Sequence, residues 1–93
     1  MVVWHVYAIC SLVRSYIYVG LTSDLENRIA RHNSGRERTT RPFRPFVLLY
    51  TQCFDSRTEA REREKYLKSG CGKEFLKALR REKSALGELT SND

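Results

Sequence analysis

The chain of 93 residues is long enough for one small domain, and its apolar content of 41% supports a modest core with no room for a second. Its 17 lysines and arginines outnumber 11 acidic residues, so the formal net charge is +6. The excess is concentrated in residues 28–44, whose six arginines against one acid indicate a nucleic-acid partner or, alternatively, a solvated basic loop that maintains solubility. The apolar segment 1–13 is interrupted by His5 and too short to cross a bilayer, so we expect a buried strand there and no membrane anchor.

Two strands and a helix are predicted in the first third of the chain. Residues 2–10 alternate between two largely apolar sets, which indicates a strand covered on both faces. After a short turn, residues 16–20 are dense in aromatic and β-branched side chains and predict the returning strand of a hairpin. Ser23 and Glu26 have the spacing of a capping box, so the first helix is expected over residues 24–33.

An arginine-rich segment, a third strand and two helices are predicted next. Residues 35–45 contain both prolines and no usable period, which indicates an exposed loop. Residues 46–54 are predicted to form the third strand, and a second capping box begins a helix over residues 57–69. A break at residues 70–72 then precedes a third helix whose apolar stripe ends at Leu86.

The predicted order ββαβαα indicates an α/β (α+β) domain with a small three-stranded sheet flanked by helices. Such a sheet is too small to stand alone, so the helices must supply half of the core. We assign residues 1–86 to this single domain and expect residues 87–93 to form a disordered tail.

The three cysteines are odd in number and include no CxxC pair, so neither a disulfide framework nor a structural zinc site is predicted. We therefore expect reduced thiols and a cytoplasmic protein. Cys10 and Cys53 are predicted to pack in the core, while Cys71, between two glycines, is predicted to be exposed.

The most informative spacing joins two tyrosines and an arginine. Tyr7 closes the tripeptide HVY, Tyr18 opens the tripeptide YVG, and Arg28 follows Tyr18 by ten residues. Two phenols on neighbouring strands and a guanidinium on the next helix can converge on one phosphate, because the guanidinium fork grips phosphate oxygens in pairs. This spacing favours a nuclease.

These tripeptides and three later segments resemble the GIY-YIG endonuclease domain, in the small stand-alone form related to the catalytic domain of the excision nuclease UvrC. The resemblance extends from about Trp4 to Lys77 and also includes the segment 20–28 before the arginine, the HNSG run at 32–35 and the segment 59–65. The first tripeptide keeps the tyrosine but has His5 and Val6 in place of the name-giving glycine and isoleucine. No asparagine after Glu64 matches the one that some members use beside the metal.

The resemblance implies a DNA endonuclease that hydrolyses phosphodiester bonds with one divalent metal ion, Mg²⁺ or Mn²⁺. It implies that Glu64 binds the metal and that Arg28 stabilises the pentavalent phosphate. It also implies that one tyrosine activates water while the other orients it, without saying which; we favour Tyr18 as the base. Family members act in repair, recombination, restriction and mobile-element homing, so branched or damaged DNA is one expected substrate among several.

The residues themselves leave alternatives for each role. Glu64 shares an apolar helix face with Leu67, where a carboxylate needs a partner, and either a metal or Lys68 can be that partner. His32 shares a helix face with Arg28 and either relays a proton near neutral pH or simply caps the helix.

The two tyrosines and the arginine also have structural alternatives. Tyr7 and Tyr18 can be core aromatics with satisfied hydroxyls, and Arg28 can form a surface phosphate contact or an ion pair with Asp24. An arginine and a metal nearby would favour the phenolate of either tyrosine, whose unperturbed pKa is about 10.

Further basic residues are predicted to hold DNA phosphates without reading sequence: Arg36, Arg38, Arg41, Arg44, Lys68 and Lys73, with Lys65 and Lys77 extending the track. Residues 70–73 are weighed both as a backbone nest for a phosphate and as a turn. Two other functions remain open: a DNA-binding module of the same fold with weak or no activity, and a basic domain that binds an acidic protein. The oligomeric state is open between monomer and dimer.

Overall fold

The computed structural model describes residues 2–89 and contains a three-stranded antiparallel sheet with helices on both faces. The strands are β1 (Trp4–Ser11), β2 (Ile17–Thr22) and β3 (Phe46–Phe54), with β1 in the centre of the order β2-β1-β3. The helices are α1 (Leu25–Asn33), α2 (Arg57–Lys68) and α3 (Gly70–Ala85), and a short 3₁₀ helix covers Arg41–Phe43. The predicted order ββαβαα and the α+β class are confirmed.

The central strand separates two packed layers because successive side chains of a strand point to opposite faces. On one face Val6, Ala8 and Cys10 belong to the core that includes apolar side chains of α2 and α3. On the other face Tyr7 and Ile9 pack with apolar side chains of α1. The prediction that β1 is covered on both faces is therefore confirmed, and each helix layer faces its own set of strand residues.

The first helix is capped by a different residue from the one predicted. Asp24, not Ser23, is the N-cap of α1, and its carboxylate accepts a hydrogen bond from the backbone N–H of Asn27 at 3.3 Å. A carboxylate is favoured there because the helix N-terminus carries a partial positive charge. The second helix follows the prediction, since the Ser56 hydroxyl accepts from the N–H of Glu59 at 3.2 Å.

The predicted break at residues 70–72 is wrong, because these residues form the first turn of α3. Ser69 is both the C-cap of α2 and the N-cap of α3, and its hydroxyl accepts from the N–H of Gly72 at 3.4 Å. A Cβ at Gly72 would lie 2.8 Å from the carbonyl carbon of Leu67, so the glycine lets the two helices meet through one residue. Residues 70–73 therefore belong to a helix and form neither of the two predicted structures, the isolated turn or the backbone nest for a phosphate.

Residues 35–45 are more structured than the exposed loop predicted for them. They include the 3₁₀ helix and the buried side chain of Thr40. At the end of the segment the ring of Phe43 stacks on Tyr16 with 4.0 Å between centroids, and Phe46 is buried. The sequence of this segment has no periodic apolar pattern that would predict its structure. One buried polar side chain and two packed rings fix it instead of an apolar stripe.

The remaining expectations concern the cysteines and the chain ends. Cys10 is buried and Cys71 is exposed as predicted, whereas Cys53 is exposed rather than packed in the core. Cys53 lies on β3 with its Sγ 3.3 Å from Nδ1 of His5. Of the predicted tail, residues 87–89 are described, and Leu89 packs against the core; the rest of the tail lies outside the described residues. None of the helices within residues 2–89 has the length and apolar character needed to cross a membrane.

Candidate active site

Tyr7 on the central strand β1 requires a glycine at the paired position of β2. Tyr7 is paired with Gly20 of β2 in the antiparallel register, and its side chain is completely buried. Its phenol lies directly over Gly20, where a Cβ would come within 2.8 Å of the ring atom Cε1. Because real Cβ atoms do not approach this closely, only glycine at this position leaves room for the ring.

Replacing Gly20 by alanine is expected to destabilise the protein by about 1–3 kcal/mol, because the added methyl group overpacks a rigid ring. Urea denaturation measures this loss. Gly70→Ala is the matched control, since a Cβ there meets nothing within 4 Å and alanine is the better helix former. Equal stabilities for the two variants would show that the Tyr7 ring moves away freely.

His32 lies at the inner side of the site, in the last turn of α1. It is 2% exposed, with Nε2 3.0 Å from the Tyr7 hydroxyl and Nδ1 2.8 Å from Oγ1 of Thr40. Burial lowers its pKa below the usual value, so the ring is neutral near pH 7. The C-cap of α1 is Ser34, so His32 is not the capping histidine weighed as an alternative.

Tyr18 and Arg28 lie beside this pair. The Tyr18 ring centroid is 4.8 Å from that of His32 and 6.3 Å from that of Tyr7, and its side chain is only partly buried. Arg28 lies one turn before His32 on α1 and is also partly buried. Asp24, the ion-pair partner considered for Arg28, instead caps the helix.

The two tyrosines are not equivalent. Burial, and after it the Tyr18 phenol, raise the pKa of Tyr7 above its ordinary value, and the charge and hydrogen bonding of Arg28 offset only part of this rise. Arg28 acts on the pKa of Tyr7 in the expected direction, but burial outweighs it; the combined effect of the arginine and a bound metal stays a prediction. Tyr7 remains protonated, and Tyr18 is the more accessible phenol.

Glu64 lies on the helix layer across the sheet. It is 7% exposed and shares the inward face of α2 with Ala60 and Leu67, as its spacing predicts. One carboxylate oxygen lies 3.1 Å from Nζ of Lys68, and the other lies 3.5 Å from a guanidinium nitrogen of Arg61. The ion pair with Lys68 that the sequence offered as an alternative is thus formed.

Four of the five predicted catalytic residues adjoin one another, and the fifth, Glu64, lies on α2. Tyr7, Tyr18, Arg28 and His32 lie on the α1 face, whereas Glu64 belongs to the α2 layer. A cleft of about 890 Å³ beside the edge strand β2 connects the two layers, because both Tyr18 and Lys68 line it. Glu64 is therefore linked to the cleft of Tyr18 through its ion-pair partner.

The same cleft is strongly basic. Lys68, Lys73 and Lys77 line it together with Arg80 and Arg81, and no acidic side chain of residues 2–89 does. Lys73, Lys77 and Arg81 recur every four residues, and Arg80 follows Lys77 by three, so all four lie along one side of α3. This spacing is the signal that would have identified the two arginines missed in the sequence. Arg80 also donates to two backbone carbonyls at the β1–β2 connection.

The four predicted DNA-contacting arginines of the loop are all exposed. Arg41 donates from Nε to the Gly35 carbonyl at 2.8 Å, and the Arg44 side chain lies over the same glycine. The single acid of this segment, Glu37, is paired with Arg31 at 2.8 Å. Because that acid already has a partner, most of the positive charge of the loop is left uncompensated.

A metal ion would have few protein ligands here. Within residues 2–89 no group of three or more histidine, cysteine or acidic side chains could enclose an ion. Mg²⁺ commonly keeps several waters and binds through one or two carboxylates plus substrate phosphates. The Glu64 carboxylate fits this donor chemistry, since both of its oxygens already bind cations, Lys68 and Arg61, that a metal could replace.

Comparison with known proteins gives a consistent result. The family model described as the GIY-YIG catalytic domain matches residues 3–77. A UPF0213 protein of Bacillus pumilus is 33% identical over 90 residues, which cover 92% of each chain. Another, from Halobacterium salinarum, is 42% identical over 65 residues, covering 69% of this chain and 83% of the relative. The solution NMR structure of the UPF0213 protein from Bacillus halodurans is similar, with a TM-score of 0.50, 35% identity and coverage of 83% and 84% of the two chains. These names specify no activity.

Proposed function

The chain belongs to the GIY-YIG family, and from this premise we propose that it is a DNA endonuclease that hydrolyses phosphodiester bonds with one divalent metal ion, Mg²⁺ or Mn²⁺. GIY-YIG nucleases generally depend on metal and act on DNA. The observation that carries the proposal is the convergence of Tyr7, Tyr18, Arg28 and His32 on one face of the sheet, beside a basic loop and a basic cleft.

Hydrolysis of a phosphodiester needs a proton acceptor for the attacking water, neutralisation of charge on the phosphate, and stabilisation of the departing oxygen. Tyr18, the accessible tyrosine, accepts the proton of the water in its phenolate form and is thereby converted to the phenol. Arg28 neutralises the phosphate through its planar fork of donors. A metal held by Glu64 would act as a Lewis acid toward the phosphate and the departing oxygen.

The buried members of the site support the accessible ones. Tyr7 remains protonated and takes the orienting role, because its hydroxyl is held against His32. His32 is neutral near pH 7 and can therefore accept a hydrogen bond or a proton at Nε2. The division of labour between the tyrosines follows from their different burial.

DNA is held by two basic surfaces in this proposal. The first is the loop with Arg36, Arg38, Arg41 and Arg44, and the second is the cleft lined by Lys68, Lys73 and Lys77. Such contacts to phosphates position the substrate without selecting a sequence, which suits branched or damaged DNA in repair. Three free thiols are compatible with a cytoplasmic location.

One observation favours a second function, a DNA-binding module of the same fold with little or no activity. Both oxygens of Glu64 are already paired with Lys68 and Arg61, so the carboxylate is satisfied without a metal. A metal must displace these cations to bind, and a site in which they persist would bind DNA without cutting it.

A direct assay separates these functions. Supercoiled, branched and single-stranded DNA are incubated with the protein in Mg²⁺ or Mn²⁺, and in parallel with a chelator. We expect cleavage with metal and none with the chelator. Salt-sensitive binding without cleavage of any substrate would establish the binding module instead. Neither binding nor cleavage would favour an acidic protein as the partner.

A further inference from the structure

Three polar side chains from three different elements form a buried row beneath the site. Tyr7 comes from β1, His32 from α1, and Thr40 directly precedes the 3₁₀ helix. The Tyr7 hydroxyl lies 3.0 Å from Nε2 of His32, and Nδ1 lies 2.8 Å from Oγ1 of Thr40. Their exposed fractions are 0%, 2% and 1%, so bulk water does not compete for these hydrogen bonds.

The neighbours of Tyr7 decide the direction of the hydrogen bonds along this row. A neutral imidazole carries one N–H, so one ring nitrogen donates and the other accepts. Arg28 lies close to the Tyr7 phenol but offers only donors, so it cannot take the phenol proton. The acceptor in reach is Nε2 of His32, which leaves the hydrogen on Nδ1, facing Thr40.

We propose that Thr40 is a positioning residue of the site, whose hydroxyl accepts from Nδ1–H of His32 and thereby keeps Nε2 as the acceptor for Tyr7. This inference rests on the proposed endonuclease function and deepens it. Without the hydroxyl, Nδ1–H has no partner in a dry site, so the ring turns or moves its hydrogen to Nε2. The Tyr7 hydroxyl then loses its acceptor and its fixed orientation.

The hydrogen bond between Thr40 and His32 also connects the basic segment 35–45 to the site. Thr40 lies between Arg38 and Arg41, in the basic segment that is proposed to contact DNA. The same eleven-residue segment, 35–45, therefore presents arginines to solvent and holds the histidine of the site from within. We expect this segment to link the placement of the substrate to the orientation of His32, because both depend on the same backbone.

The test uses three variants of two adjacent threonines. Thr40→Val preserves the shape but removes the hydroxyl, Thr40→Ser restores the hydroxyl, and Thr39→Val is the control because Thr39 is exposed. NMR of the ¹⁵N-labelled ring nitrogens reports the tautomer directly. The only other histidine, His5, is assigned by His5→Gln.

In the parent protein we expect the imidazole hydrogen of neutral His32 to be on Nδ1. In Thr40→Val this preference for Nδ1 should be lost. The kcat for DNA cleavage should fall in Thr40→Val by about tenfold to a hundredfold, the scale for removing a partner that orients a functional histidine, while KM for DNA changes little. Thr40→Ser should restore both the tautomer and kcat, and Thr39→Val should resemble the parent in both.

Two results would overturn the inference. One is a neutral His32 in the parent protein that carries its hydrogen on Nε2. This result can be observed without any variant. The other is a folded Thr40→Val with the parental tautomer and kcat. If the parent cuts no DNA, the endonuclease proposal fails by itself, and the ring nitrogens of the parent and Thr40→Val still decide whether Thr40 orients His32.

Discussion

Cleavage of supercoiled DNA by Glu64→Gln is expected to be about a thousandfold slower than by the parent. Lewis-acid stabilisation by a metal is worth several kcal/mol, and each loss of about 1.4 kcal/mol slows a reaction tenfold. Glutamine keeps the shape of the side chain but removes the charge that binds the cation. The fold should survive, because the two partners of Glu64 are more than half exposed and remain solvated.

The same helix supplies a matched control for this experiment. Glu62 lies two residues earlier on α2 and is exposed, so Glu62→Gln removes the same charge from the protein without reaching the inward face. Initial nicking rates are measured at fixed Mg²⁺, and Mn²⁺ binding is followed by calorimetry. A Glu64→Gln protein as active as Glu62→Gln would mean that the carboxylate serves only its ion pairs with Lys68 and Arg61.

The second large effect concerns Arg28. Arg28→Ala is expected to lower kcat by about 10² to 10³, the range for removing one donor that stabilises charge in the transition state. Arg28→Lys should recover only part of this loss, because an ammonium group keeps the charge but lacks the planar fork. Single-turnover cleavage at saturating protein separates this effect from weaker binding.

An arginine of the basic loop serves as the comparison. Arg38 is exposed and is proposed to contact only phosphate, so Arg38→Ala should weaken DNA binding and reduce its salt dependence by about one contact, with kcat unchanged. If Arg28→Ala and Arg38→Ala behave alike, Arg28 is a binding residue only. In that event the charge on the phosphate must be neutralised by another group.

Much of the architecture was predictable because it depends on local patterns. Alternating and β-branched residues identified the strands, and Ser56 with Glu59 identified the start of α2. The hairpin placed Tyr7 and Tyr18 on neighbouring strands, and the structure pairs those strands with Tyr7 opposite Gly20. The prediction was wrong where a tertiary contact outweighs the local pattern. Gly72 was predicted to lie in a break between helices, but it permits a close contact between α2 and α3.

Local sequence patterns do not predict the residues that surround the candidate site. Thr40 is polar and lies in a segment without periodicity, yet it is buried because its hydroxyl forms a hydrogen bond with His32. The exposure of Cys53 and the cleft lined by Arg80 and Arg81 likewise depend on which faces of the sheet and of α3 meet other elements. These facts arise from packing between distant segments, to which sequence spacing gives no direct access.

Local spacing was enough to predict the element order and to indicate Tyr7, Tyr18, Arg28, His32 and Glu64 as candidates, because spacing along strands and helices sets which side chains share a face. Their arrangement in space depends on the packing of the elements. This packing buries Tyr7 and leaves Tyr18 accessible, and it puts Glu64 in the α2 layer with Lys68 beside it. The physical reason is that burial, and with it pKa and ion pairing, depends on what packs against a side chain rather than on where it stands in the chain.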